Sequence, residues 1–162
     1  MTQRLRDELV DTAKQMSALG LTPGMSGNVS VRFNDAFYVT PSGMPYERIV
    51  ADDIVKIEPD GSVRPGQRTP TTEWQLHKDI LGARQDVQAI VHTHSLFCTT
   101  ISTLRRPIPA LHYLVVLAGS DEIPCAEYAT FGSPELAIAA VRALASRNAR
   151  DTVGHAVCGP RR

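Results

Sequence analysis

The stretch Val29-Ser30-Val31-Arg32-Phe33-Asn34-Asp35-Ala36-Phe37-Tyr38-Val39 constrains the fold of this chain more than any other. Val29 to Phe33 alternates as a strand does, Asn34-Asp35 is a turn pair, and Ala36 to Val39 resumes an extended pattern. Two strands joined so tightly fold back on one another, so at least part of the sheet is antiparallel.

Helices surround this hairpin. Across residues 2–19, Leu5, Leu9, Val10, Ala13, Met16 and Leu19 form an apolar stripe at helical spacing, and Gly20 stops it. Ile54-Val55-Lys56-Ile57 reads as a short strand ended by the Pro59-Asp60-Gly61 turn. Thr72 and Gln75 stand at capping-box spacing, which predicts a helix opening near Glu73 and running to about Arg84. Ala89-Ile90-Val91 predicts a buried strand, followed by a helix over Ser95–Leu104. Pro107-Ile108-Pro109 breaks the chain before Leu111–Leu117, an apolar run compatible with either strand or helix. Ser133-Pro134-Glu135 opens an alanine-rich helix extending to about Ala145. Strands and helices alternate without a regular βαβ rhythm. The expectation is one α/β domain over residues 1–162 with a mixed or mostly antiparallel sheet flanked by helices.

The chemistry concentrates at the end of the Ala89-Ile90-Val91 run. Side chains two apart on a strand point the same way, so His92 and His94 are presented together. That pairing suits two ligands of a tetrahedral zinc, and it also suits an ordinary hydrogen-bonded histidine pair. Glu73 has two readings as well, a favourable charge at a helix N-terminus or a metal ligand and general base. Gly27-Asn28, Ser42-Gly43 and Thr71-Thr72 are small-residue loops that could be plain turns or could cradle a phosphate with backbone N–H groups. Trp74 and His77 read as packing residues, and Tyr113 as a core aromatic or a proton donor.

Bulk properties exclude several classes. Lys and Arg together number 17, as do Asp and Glu, so no global field draws the chain to nucleic acid or membrane. No apolar run reaches membrane-span length, and Met1–Glu8 lacks a signal peptide's apolar core. Cys98, Cys125 and Cys158 are scattered and odd in number, as expected of reduced thiols in a cytoplasmic protein. Neither G-x-x-x-x-G-K-[ST] nor G-x-G-x-x-G occurs, so nucleotide binding is not indicated.

Taken in order, Gly27-Asn28-Val29-Ser30, Thr40-Pro41-Ser42-Gly43, Thr72-Glu73-Trp74, His92-Thr93-His94 and Ile108-Pro109-Ala110-Leu111-His112-Tyr113 resemble the class II aldolase/adducin family. The stretch Ile123–Gly132 is especially similar to its fuculose-phosphate aldolase branch, and the resemblance runs from about Leu5 to Arg147. It implies a three-layer α/β/α sandwich with a mixed, mostly antiparallel central sheet. It also implies a zinc-dependent aldolase that cleaves a phosphorylated ketose to dihydroxyacetone phosphate and a short aldehyde. One Zn²⁺ per subunit and a homotetramer with active sites between subunits come with the family. On that resemblance His92, His94 and Glu73 match metal ligands, with Glu73 doubling as catalytic acid/base. Gly27, Asn28, Ser42, Gly43, Thr71 and Thr72 match the phosphate loops, and Tyr113 matches a proton donor supplied by a neighbouring subunit.

Residues 148–162 depart from the pattern. His155 stands near the place of the family's third histidine ligand, yet Ala156 follows it where a glycine is expected, so a truncated or frameshifted reading frame is one expectation. The alternatives are another sugar-phosphate enzyme of the same family (4-epimerase, dehydratase or decarboxylase) and a non-catalytic adducin-like or truncated protein. Glu73 favours aldolase over the epimerases, which typically carry aspartate there.

Overall fold

The computed structural model describes residues 2–113 and 121–145. Helix α1 spans Gln3–Ala18, and the Thr2 hydroxyl caps it by accepting the Leu5 N–H at 3.4 Å. Leu9, Val10, Ala13 and Met16 form its buried stripe. Gly20, at φ +67°, takes the left-handed turn that ends it.

The hairpin forms as the sequence requires. Strands β1 (Asn28–Phe33) and β2 (Ala36–Val39) pair antiparallel with Val31 opposite Tyr38, and Asn34 supplies a left-handed turn residue at φ 55°. β2 pairs with β3 (Val55–Ile57) and β1 with β4 (Ala89–His92), giving the order β3-β2-β1-β4 with every pair antiparallel.

Strand alternation assigns the two faces. Val29, Val31, Phe33 and Tyr38 pack with the stripe of α1. Phe37 and Val39 turn the other way and join Val55, Ile57 and Leu81 beneath helix α2 (Trp74–Ala83). Helix α4 (Pro134–Ala145) packs on α2 through Ile80, Ala140 and Leu144, and its start is capped by Ser133 Oγ accepting the Leu136 N–H at 3.3 Å. Helix α3 (Leu96–Thr103) follows β4. Helices therefore cover both faces of the sheet, which is the sandwich the resemblance implies.

Residues of β1 on the α2 side run alongside that helix in step. Two residues of strand advance about 6.6 Å and four of helix about 6 Å, so alternate strand residues meet successive helix turns. Asn28 contacts Glu73 and His77, Ser30 contacts His77, and Arg32 donates to the Leu81 carbonyl. Arg32 also reaches the carbonyls of Arg84 and Val87 at 3.3 and 3.4 Å, satisfying acceptors at and beyond the end of α2.

Three expectations change. The Thr72–Gln75 capping box does not form; α2 starts at Trp74 with Glu73 as its N-cap residue. Thr71 takes the capping role, its carbonyl accepting the Trp74 N–H at 3.2 Å and its hydroxyl the Glu73 N–H at 3.4 Å. Strand β4 is not buried: it is the edge of the described sheet, and Val91 is 49% exposed, because α1 packs over β1 and stops short of it. The Pro107–Pro109 break contains a short strand, β5 (Ile108–Pro109), paired with β6 (Glu122–Ile123). Proline is tolerated in so short a strand because Ala110 carries the next hydrogen bond, to Asp121. Of the run Leu111–Leu117, residues 111–113 are exposed and 114–117 lie outside the described residues, as do 148–162 with His155.

Candidate active site and metal centre

Asn28 and His92 are direct partners across β1 and β4, so their side chains share a face. That face is the one α2 covers, and it meets the helix at its N-terminal end. Glu73 and His77, four residues apart, stack one turn above the other there. The result is a closely bonded group. Asn28 Nδ2 donates to Glu73 Oε2 at 3.0 Å, and His92 Nδ1 lies 3.0 Å from the same oxygen. His77 bonds Asn28 Oδ1 through Nε2 at 2.5 Å and Ser30 Oγ through Nδ1 at 2.6 Å.

His94 lies two residues beyond β4, so the shared-face argument drawn from a continuous strand does not place it. Its backbone does: the His94 N–H donates to the Leu21 carbonyl at 3.0 Å, and its ring centroid lies 4.7 Å from that of His92. One ligand atom from each of Glu73, His92 and His94 falls within 4.8 Å of the other two. Ligands about 2.0–2.2 Å from a tetrahedral zinc stand about 3.4 Å apart, a spacing that small rotamer changes reach. Two imidazoles and a carboxylate are a donor set that accepts zinc or another divalent cation.

The electrostatics of Glu73 fit that use. Burial alone pushes its carboxyl up, but the His92 hydrogen bond and charge, the Asn28 amide and His94 together outweigh burial and bring it to about 2. It is 6% exposed and ionised at neutral pH. His77 moves the other way for a base: complete burial, aided by His92 and opposed by Glu73, brings it down to about 3 and leaves the ring neutral.

Beside this cluster lies a cavity of about 140 Å³ lined by Gly27, Asn28, Ser42, Gly43, Thr71, Thr72 and Glu73, with Phe131 and Met25 among the remaining walls. The three small-residue loops therefore converge. Backbone bonds from Ser42 N–H to Thr69 O at 2.9 Å and from Thr71 N–H to Thr40 O at 3.1 Å tie the second loop to the third. The first is held by Tyr46, whose hydroxyl accepts the Gly27 N–H at 2.9 Å and donates to the Gly27 carbonyl at 2.6 Å.

These same bonds narrow the donors open to an anion. The N–H groups of Gly27, Ser42 and Thr71 are already committed. Those of Gly43 and Thr72, with the Ser42 and Thr72 hydroxyls, have no partner among the described residues. Gly27 contributes space instead: a Cβ there would sit 2.6 Å from the His92 carbonyl oxygen and 2.9 Å from Met16 Cε. Gly43 needs its own lack of a side chain for a different reason, its φ of +66°.

Tyr113 stands apart. It is 70% exposed, stacks on His112 with ring centroids 4.2 Å apart, and does not line the cavity. Sequence reading missed His77, Tyr46 and Phe131 as site residues. Helical spacing from Glu73 could have found His77; nothing local in Met44-Pro45-Tyr46 signals a hydroxyl aimed back at Gly27.

The sandwich thus sets a Glu73/His92/His94 group beside a cavity walled by three small-residue loops, and the chain belongs to the class II aldolase/adducin family. The profile of the class II aldolase and adducin N-terminal domain matches residues 7–158, a span that includes His155. An L-fuculose phosphate aldolase from Escherichia coli O6:H1 is 44% identical over 90% of this chain and 67% of its own length. A 5-methylthioribulose-1-phosphate/5-deoxyribulose-1-phosphate aldolase from Rhodospirillum rubrum is 47% identical over 90% of this chain and 65% of its own. The chain thus spans about two thirds of the length of these relatives. A solved L-fuculose 1-phosphate aldolase superposes with a TM-score of 0.86 at 36% identity, covering 91% of this chain and 70% of that one. No helix among the described residues is long and apolar enough to cross a membrane.

Proposed function

We propose that this chain is a divalent-metal-dependent aldolase that reversibly cleaves a phosphorylated ketose into dihydroxyacetone phosphate and a short aldehyde. The observation that carries this reading is the meeting of two separately built features. Six residues expected at a phosphate line one cavity, and Glu73 both lines it and places a carboxylate oxygen within 4.8 Å of ligand nitrogens of His92 and His94.

Glu73, His92 and His94 would hold the metal, taken to be zinc, with His155 as a further ligand. When bound, the cation supplies Lewis-acid polarisation of the ketose carbonyl. The open amides of Gly43 and Thr72 and the hydroxyls of Ser42 and Thr72 would bind the phosphate, while Asn28 and Gly27 shape the wall beside it. Glu73 would accept the proton next to the carbonyl in the synthetic direction. A carboxylate held near 2 is a poor base at neutral pH, so this role requires it to leave His92 once substrate arrives. Tyr113 would donate the proton to the aldehyde oxygen from a neighbouring copy, which agrees with its exposure here.

A homotetramer in the cytoplasm is part of the same proposal. Leu96, Phe97, Leu104, Leu111 and Phe131 are each at least 64% exposed, an apolar surface that copies of the chain would cover. Light scattering of the purified protein at micromolar concentration tests it, and a monomer would contradict it.

Two aldehyde ends are in play, because the fuculose-phosphate and methylthioribulose-phosphate relatives are similar to this chain to nearly the same degree. A coupled assay for dihydroxyacetone phosphate, run with added Zn²⁺ on L-fuculose 1-phosphate, 5-deoxyribulose 1-phosphate and 5-methylthioribulose 1-phosphate, separates them. Release from none of the three would overturn aldolase activity.

A further inference from the structure

His77 is fully buried, carries no role in the proposed reaction, and is bonded at both ring nitrogens. Only one assignment of its protons satisfies its neighbours. A neutral ring has one donor and one acceptor nitrogen. If Nδ1 carried the proton, Nε2 would accept from the Asn28 amide, and the Asn28 carbonyl would be turned to Glu73. Two acceptors, one of them charged, would then face each other at 3.0 Å across the Asn28–Glu73 contact. With the proton on Nε2 every group finds a partner: Ser30 Oγ donates to Nδ1, Nε2–H donates to Asn28 Oδ1, and the Asn28 NH₂ is left to donate to Glu73 Oε2.

From this geometry we infer that His77 is a positioning residue for Glu73, fixing the Asn28 amide so that its NH₂ holds the carboxylate toward His92 and His94. The relay Ser30–His77–Asn28–Glu73 crosses three times between β1 and the N-terminal end of α2, so it is set by the packing of helix on sheet. Burial of the ring keeps it from taking a second proton, which would reverse the Ser30 contact by making Nδ1 the donor. The inference rests on the proposed site, since it assigns His77 a task only if Glu73 is used there. Sequence alone made His77 a packing residue; the two bonds to its nitrogens give it a polar one.

The test uses the full chain, stripped of metal, with Co²⁺ as probe. Nitrogen-15 NMR of the wild-type histidines should show His77 as the neutral Nε2–H tautomer from pH 8 to pH 5. His77→Phe fills the space without a donor, and it should weaken Co²⁺ binding about 10- to 100-fold, the usual cost of losing a residue that orients a ligand. His77→Gln keeps an N–H close to the place of Nε2, and it should stay within about threefold of wild type, an expectation from the same orienting role. An Nδ1–H tautomer, or a folded His77→Phe that binds Co²⁺ as tightly as wild type, would overturn the inference. If His77→Phe does not fold, the wild-type tautomer and the His77→Gln affinity decide it. Failure of the wild-type protein to bind Co²⁺ would instead sink the metal-site reading, while the tautomer measurement would still judge the relay.

Discussion

Gly27→Ala probes how stability and site geometry are joined. The added methyl would stand 2.6 Å from the His92 backbone oxygen, 2.9 Å from Met16 Cε and 3.0 Å from Met16 Sδ. Met16 can swing its flexible end aside, but the carbonyl is backbone, fixed by the β1–β4 ladder in which Asn28 faces His92. Relaxing that contact to an ordinary carbon–oxygen separation of about 3.3 Å moves the end of β4 by roughly 0.7 Å. Overpacking of this kind costs about 1–3 kcal/mol, or roughly 2–12 °C in melting temperature for a domain this size. The same movement carries the His92 imidazole away from Glu73, so metal affinity should fall along with stability. Gly43→Ala is the control. No heavy atom lies within 4 Å of its new Cβ, and only the left-handed φ of +66° is strained, at about 1 kcal/mol. Thermal unfolding and zinc titration by calorimetry on both variants check the reasoning. Equal melting temperatures and equal zinc affinity for Gly27→Ala and wild type would refute it.

Glu73→Gln removes the proposed base and should lower kcat/KM for dihydroxyacetone phosphate release by roughly a hundred- to ten-thousandfold. His92→Ala and His94→Ala should each reduce bound zinc well below one per chain by elemental mass spectrometry, whereas unchanged stoichiometry would remove that histidine from the metal site. Acid should destabilise the metal-free protein. Glu73 titrates near 2 when folded and at 4.5 when unfolded, so its contribution, at most about 3 kcal/mol, is present above pH 4.5 and lost as pH falls toward 2. His77 acts in the same sense from pH 6.5 downward, because only the unfolded ring takes a proton. Denaturant titrations from pH 7 to pH 2 should show this loss, and Glu73→Gln should flatten its lower part. Tyr46→Phe removes both bonds to Gly27, which are buried, and should cost about 1–3 kcal/mol in urea unfolding.

Local patterns carried most of the fold. The α1 stripe from Leu9 to Met16, the hairpin, the Gly20 stop and the Ser133 cap stand where periodicity and turn chemistry put them, because each depends on neighbours within a few residues, whereas Leu19, the last member of the expected stripe, falls past the helix end and is 71% exposed. The burial of β4 was misread because an apolar run records composition and not which strand ends up at an edge. The Thr72 cap was misread by one residue, since Thr71 and Thr72 are equivalent in sequence and only the bond to Thr40 distinguishes them. Among site residues, the histidine pair and the loops were legible as residue types at suggestive spacings. Which amides remain open was not, because Gly27 loses its donor to Tyr46, nineteen residues away. The part played by His77 was hidden for the same reason, as Asn28 and Ser30 approach it from a distant strand.

The matched stride of β1 and α2 makes misassembly self-defeating. A one-residue slip of the strand would turn Asn28, Ser30 and Arg32 away and lay Val29 and Val31 against the helix. The Leu81 carbonyl and the His77 nitrogens would then be stranded in an oily setting, and the corner of Glu73, His92 and His94 would never close. Correct threading of the sheet and assembly of the Glu73, His92 and His94 corner are thus a single event, so a mis-threaded copy of this protein also lacks that corner.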